Sequence, residues 1–259
     1  MIDTHCHITS ASFADQDKII QEALDAGVKR MVSIGVSLKD SLSVQRLVEK
    51  YACLYGACGV HPLDVAEEGV PTKQDLMDLV NHPKIVGVGE TGLDLYHGTQ
   101  ESLPNQEESF LRHIEVAHAL KKVVVIHARD AFRPTEDLLS YAIKQYPGSR
   151  LLMHCFTGDA DTAHKFIEKF QCYISFSGIV TFGKKAEEIA EAARTIPLEY
   201  LVCETDAPYL APHPYRGKLN TPAKVAYVYE HIARQRDMLL EDFIDSVQCN
   251  VKMLFGWSE

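Results

Sequence analysis

Eight short apolar, β-branched runs recur along this chain, and each is followed by a longer stretch with helical periodicity. The runs are Met1–Thr4, Arg30–Gly35, Leu54–Gly59, Ile85–Gly89, Val123–Ile126, Arg150–Met153, Cys172–Phe176 and Tyr200–Cys203. Between them the sequence predicts helices over Asp15–Ala26, Leu38–Lys50, Thr72–Val80, Asn105–Leu120, Thr135–Gln145, Ala160–Phe170 and Ala186–Arg194. Two more lie near Pro222–Arg234 and Leu240–Leu254. Strands that alternate with helices pair in parallel, because a parallel partner is reached only through a crossover of about a dozen residues. Eight such units match a closed barrel better than an open doubly wound sheet. The 259 residues are close to the roughly 250 that a (β/α)8 barrel uses. No G-x-G-x-x-G follows the first run, so a dinucleotide-binding sheet has no fingerprint here. The expected fold is α/β, a TIM (β/α)8 barrel in one domain over residues 1–259.

Local signals agree with this layout. Gly27 is a natural stop for the first helix. Thr72-Lys73-Gln74-Asp75 is a variant of the capping box. Phe110, Ile114, Ala117 and Leu120 share one helical face. The longest irregular pieces, Thr91–Pro104 and Asp206–Thr221, both follow strands, where barrel loops carry function.

Composition narrows the function. A chain of this length with 46% hydrophobic residues buries a large core unaided, so a bound metal would serve catalysis rather than folding. The net charge of −10 argues against tight nonspecific nucleic-acid binding, which needs basic faces. It leaves a nuclease open, since bound cations neutralise phosphate locally. The seven cysteines are odd in number, irregular in spacing and without a C-x-x-C, which disfavours a disulfide framework or zinc knuckle and suits a reducing cytoplasm. The start Met1-Ile2-Asp3-Thr4-His5 has no basic or apolar leader region, so no signal peptide is expected, and no apolar run is long enough to span a membrane.

The strand ends carry the chemistry. The first ends in His5-Cys6-His7, and alternation puts the two histidines on one face with Cys6 turned away. The fourth ends in Gly89-Glu90-Thr91-Gly92, the fifth in His127-Ala128-Arg129-Asp130, the sixth in His154-Cys155-Phe156 and the eighth in Glu204-Thr205-Asp206. A lone histidine in a strand is ordinarily a hydrogen-bonded core residue, and a lone carboxylate after one is ordinarily a helix cap. A barrel, however, brings all these ends to one mouth. Four histidines and two carboxylates are too many for one four-coordinate ion, and suit two cations that share a carboxylate, an arrangement used in phosphate ester cleavage.

Other residues are candidates for substrate contact. His61, in Gly59-Val60-His61-Pro62, follows the third strand. Arg129 stands two positions past a candidate ligand, where it would clamp phosphate bidentately or else pair with Asp130. Tyr215-Arg216-Gly217-Lys218 puts Arg216 and Lys218 on the loop after the eighth strand, beside the mouth. Asp94 is expected to orient a ligand or cap a helix. His82, His97, His113, His118, His164 and His231 read as solvated or packing residues.

Together, the H-x-H start, Gly59-Val60-His61-Pro62, Gly89-Glu90-Thr91-Gly92-Leu93-Asp94, His127-Ala128-Arg129-Asp130-Ala131, His154-Cys155-Phe156-Thr157-Gly158 and Glu204-Thr205-Asp206-Ala207-Pro208-Tyr209-Leu210 resemble the TatD family of metal-dependent deoxyribonucleases. The motifs run in family order to Asn250-Val251-Lys252-Met253-Leu254-Phe255-Gly256, so the likeness covers essentially the whole chain. Tyr173–Phe182 looks most like the YcfH branch. The resemblance implies a TIM barrel of the metallo-dependent hydrolase type that hydrolyses phosphodiesters in DNA as a 3′–5′ exonuclease. It implies two divalent ions, with magnesium, manganese and zinc all compatible with the donor set. His5, His7, Glu90 and Asp206 would hold one; Glu90 would bridge to a second on His127 and His154. Asp206 and Glu90 would be the catalytic carboxylates, with Asp206 orienting the attacking water or taking its proton. Many members read Asn-Glu-Pro after the eighth strand where this chain has Asn220-Thr221-Pro222, so any role of that glutamate is absent. Some members lack the H-x-H; this chain keeps it.

The expected partner is a weakly bound DNA end or another phosphodiester, with no membrane and no obligate protein partner. Two other classes compete. A barrel metallohydrolase for small phosphate esters, amides or lactones often bridges its metals with a modified lysine, whereas the fourth strand here offers Glu90. A noncatalytic binding protein has no need of an open two-metal mouth.

Overall fold

Strands covered on both faces read as continuous apolar runs, and the eight runs become the eight strands. A computed structural model describes residues 1–257; Ser258 and Glu259, the end of the expected 1–259 domain, lie outside the described residues. The strands are β1 (Ile2–Cys6), β2 (Arg30–Ile34), β3 (Leu54–Cys58), β4 (Ile85–Asp94), β5 (Val123–Arg129), β6 (Arg150–Met153), β7 (Tyr173–Phe176) and β8 (Leu201–Cys203). Every pairing is parallel, and the spatial order follows the sequence order. At the seam, His7 N–H donates to the Ala207 carbonyl at 2.7 Å and Asp206 N–H to the His5 carbonyl at 2.9 Å. Eight parallel strands thus form a nearly closed barrel.

The helices pack outside it: α1 (Gln16–Asp25), α2 (Leu38–Lys50), α3 (Val65–Glu68), α4 (Lys73–Val80), α5 (Leu103–Leu120), α6 (Phe132–Gln145), α7 (Ala160–Phe170), α8 (Glu187–Thr195), α9 (Val225–Gln235) and α10 (Leu240–Phe255). Buried strand residues such as Met31, Val32, Val124, Leu152 and Ile174 form one core with helix residues such as Val44, Phe110, Phe166 and Phe243. The Thr72 capping box forms, with Asp75 N–H 3.1 Å from Thr72 Oγ1 and Thr72 N–H 2.9 Å from Asp75 Oδ2. The α6 helix starts three residues earlier than its sequence pattern indicated, because Pro134 fits the first turn, where amides have no helical partner anyway.

The main departure is β4. It runs on to Asp94 instead of ending at Gly89, pairing Gly92 with His127 and Asp94 with Arg129 on β5. Between Val88 and Thr91 the register slips, so β4 advances three residues while β5 advances two. The flanking glycines make this irregularity possible. Gly89 and Gly92 have φ of 138° and 137°, and a methyl group at Gly92 would strike the His127 carbonyl. Glu90 sits within the bulge, which directs its carboxylate over the barrel's end.

Candidate metal centre

Side chains from five strands meet above the core. The alternation expected of β1 holds: His5 Nε2 and His7 Nε2 lie 3.3 Å apart, while the Cys6 thiol turns to the Val32 carbonyl. Glu90 stands in the middle. Its Oε2 is 3.3 Å from His5 Nε2, and its Oε1 lies 2.9 Å from His127 Nδ1, 2.7 Å from His154 Nε2 and 3.5 Å from His61 Nε2. Asp206 closes the other side, its Oδ1 3.2 Å from His7 Nε2 and 3.7 Å from His5 Nε2. The six residues expected as ligands are therefore brought together, and Glu90 turns one oxygen to each side.

The donor set fits divalent cations. His5, His7 and Asp206 form one group whose ligand atoms all lie within 4.8 Å of one another; His5, Glu90 and His154 form a second, and His61, Glu90 and His127 a third. Nitrogen and oxygen ligands about 2.0–2.2 Å from a shared ion must cluster on this scale. Charge points the same way. Glu90, Asp94, Glu204 and Asp206 converge, yet among the described residues no lysine or arginine pairs with any of them; their ionic partners are histidines. Buried carboxylates need such compensation. Burial alone would raise the pKa of Glu90, but the charges of His154 and His61 and hydrogen bonds from His127 and His154 hold it well below the usual range. Burial also works against Asp206, and His7 outweighs it, so this carboxyl too is held low. Burial pushes the pKa of His5 down, with the neighbouring His154 adding to the effect, so its ring favours the neutral form.

A second layer orients these rings. Asp94 Oδ2 lies 3.0 Å from His127 Nε2. Donation there leaves the Nδ1 lone pair of His127 facing the centre. The other Asp94 oxygen accepts from the Tyr96 and His97 amides, so this residue both orients the His127 ring and caps a turn. Glu204, fully buried, accepts the Cys155 N–H at 2.8 Å and sits 3.5 Å from His154 Nδ1, loose for a hydrogen bond but close enough to favour a proton on that nitrogen. Beneath His5, Asp3 accepts from the Thr205 amide and hydroxyl and from the His5 amide, tying β1 to the end of β8; burial lifts its pKa to about 8.

The centre opens into a cavity of about 1000 Å³ whose walls include His61, Tyr96, Arg129 and Tyr209. Arg129 is at the mouth as expected, its guanidinium 4.3 Å from the Tyr96 ring centroid. Two expectations need correction. Arg216 and Lys218 do not line the mouth. His213 N–H bonds Thr181 Oγ1 and Tyr215 bonds Tyr227, which draws their loop outward; Arg216 then rests over Phe182 at 4.5 Å and Lys218 N–H closes a turn on the Tyr215 carbonyl. His113 is no solvated or generic packing residue. It is fully buried, its Nδ1–H donates to the Ser109 carbonyl at 2.7 Å, and its Nε2 accepts the Val60 N–H at 3.0 Å, which braces the loop that carries His61. His61 itself, expected at the substrate, lies within reach of Glu90 and among the ligand-like groups. Glu204 was legible as a strand-end carboxylate on the same face as Asp206, two residues on, but its distance to His154 was not.

Comparison with known proteins places this geometry. The profile of the family described as "TatD related DNase" matches residues 2–256. The chain is 38% identical to the protein named "Uncharacterized metal-dependent hydrolase YcfH" of Escherichia coli (strain K12), over 98% of this chain and 95% of that one. It is 33% identical to the "3'-5' ssDNA/RNA exonuclease TatD" of Citrobacter koseri, over 99% of each chain. The crystal structure of YJJV, a TatD homolog from Escherichia coli K12, superposes with a TM-score of 0.92 at 25% identity, covering 100% of this chain and 98% of that one.

Proposed function

The chain belongs to the TatD-related DNase family of metal-dependent hydrolases, and from that premise we propose that it is a two-metal 3′–5′ exonuclease acting on DNA ends. The observation that carries this reading is Glu90, whose two oxygens face separate donor groups under an open cavity of about 1000 Å³. Divalent cations held by His5, His7 and Asp206 on one side and by His127 and His154 on the other, with Glu90 shared, would supply Lewis-acid polarisation of the phosphoryl group and acidify water. The chain's own groups do the rest. Asp206 is the most exposed of the four carboxylates, at 13% of its side chain against 4% for Glu90, so it can meet a water molecule and take its proton at a carboxylate oxygen. Arg129 at the rim offers a fork of donors to a phosphate. Cations rather than protein charge carry most of the attraction, since the chain bears −10. Among the described residues no helix is long and apolar enough to cross a membrane, and the seven free thiols suit the cytoplasm.

The test is to incubate the metal-loaded chain with end-labelled single- and double-stranded DNA and with a panel of small phosphate esters, amides and lactones. Release of mononucleotides from 3′ ends is the expected result. Turnover confined to the small molecules would replace this reading with that of a small-molecule metallohydrolase, and turnover of nothing would leave a binding protein.

A further inference from the structure

Two tyrosines stand at the rim with large exposed rings. Tyr96 is 58% exposed and Tyr209 is 59% exposed, although both line the cavity above the centre. Neither hangs from a loose loop. The Tyr96 amide donates to Asp94 Oδ1 at 3.0 Å, and Asp94 also holds His127. The Tyr209 amide donates to the Asp206 carbonyl at 2.9 Å, and its carbonyl accepts from the fully buried Asn220, whose side chain is also bonded to Thr205. Each ring is therefore presented from backbone fixed by the site itself. They also stand on opposite flanks. Tyr96 follows β4, beside Arg129 on β5, and the Tyr209 ring lies 6.0 Å from the His7 ring at the β1–β8 seam, with Glu90 between. In an eight-stranded barrel the β4–β5 side faces the β8–β1 side across the mouth. Arg129 lies over the Tyr96 ring and the His97 ring meets it edge-on at 4.6 Å, while 58% of the residue stays exposed.

We propose that Tyr96 and Tyr209 are stacking platforms for the two unpaired bases that flank the scissile phosphate. This rests on the exonuclease reading above. A phosphodiester centred over Glu90 carries one nucleoside to each side, and each flank presents an aromatic surface to receive its base. Stacking tolerates any sequence, because every base has a π-face.

Steady-state kinetics with the metal-loaded full chain test this, using short single strands that are intact or carry an abasic residue at the 3′-terminal or the penultimate position. Tyr96→Ala and Tyr209→Ala should each raise KM by roughly 5- to 150-fold with kcat little changed, the range expected for one lost stack. Tyr96→Phe and Tyr209→Phe should stay near wild type. Each alanine variant should become insensitive to one abasic position, a different one for each. Unchanged KM in the alanine variants overturns the inference. So does an equal KM penalty on intact and abasic strands, which would mark a general structural effect. A wild-type chain that cleaves no nucleic acid removes the exonuclease reading and this inference together; a wild-type chain that cleaves while the tyrosines are silent removes the inference alone.

Discussion

The two halves of the candidate metal centre are built to different standards. On the β4–β6 side, His127 is held by Asp94, His154 faces Glu204, and the loop that carries His61 is braced by His113. On the β1–β8 side, the rings of His5 and His7 have, among the described residues, no carboxylate beside them other than Glu90 and Asp206, and the Asp206 carboxylate pairs only with those two histidines. One half thus has carboxylates standing behind its histidine rings. The other has its backbone tied by Asp3 and the seam but no such carboxylate behind its rings, and a bound ion would complete their order. The lesson is that ligand count alone does not measure a metal site; the layer behind the ligands sets how tightly each ion is held.

The largest effect should come from the residue that belongs to both halves. Glu90→Gln keeps volume but removes the shared charge, and turnover should fall about 100-fold or more, as on loss of a key electrostatic stabiliser. Metal content measured alongside should drop on both sides. Near-native turnover with full occupancy would take Glu90 out of the mechanism and dissolve the division into halves.

The brace behind His61 should show in acid. Burial lowers the pKa of His113 to about 4, below the ordinary 6.5 or so of the unfolded chain. Between those values the unfolded chain binds the proton and the folded chain does not, so His113 contributes a stability that is present above pH ~6.5 and lost as pH falls towards 4. The loss should reach about 3 kcal/mol at most. His61 has the same sign, so the comparison is between wild type and His113→Gln by denaturant titration over that window. Identical acid limbs in the two proteins would show that His113 does not carry the load.

Asp94→Asn should weaken cation affinity on the β4–β6 side by about 10- to 100-fold, the usual consequence of losing an outer-layer partner, and leave the β1–β8 side near its original value. Competition with a chelator, following both ions, reads this directly. An equal loss on both sides would mean that the halves are not independently built.

The smallest effect concerns phosphate. With Arg216 and Lys218 off the mouth, few protein cations remain to meet DNA. Binding of a non-hydrolysable phosphorothioate single strand to the wild-type chain, measured against salt at fixed metal, should give a shallow slope of about 1. Arg129→Ala should lower it by about 0.7. A steep slope untouched by this change would place the contacts elsewhere.

Much of this is legible in the sequence. All eight strands start within one residue of their apolar runs, because barrel strands are buried on both faces and the runs are correspondingly unbroken. The pairing of His5 with His7 follows from strand parity alone. What stayed hidden depends on contacts distant in sequence. Gly89-Glu90-Thr91-Gly92 signals a turn when read locally, and only its pairing with β5 carries it on as strand to Asp94. The outward course of Arg216 and Lys218 is set by bonds to Thr181 and Tyr227 that no local pattern announces. The helical period of α5 puts His113 on a face, but not its Nε2 on the Val60 amide.

The seam between β1 and β8 has one more consequence. Its closing bonds run from His7 to Ala207 and from Asp206 to His5, so the backbone that shuts the cylinder belongs to the very residues whose side chains face the centre. An ion gripped by those side chains would be a clasp across the join, and the firmness of the join would in turn set how well the clasp fits. Stiffness of the ring and hold on the cargo then behave as a single property: whatever loosens the first and last staves of the barrel also loosens its grip.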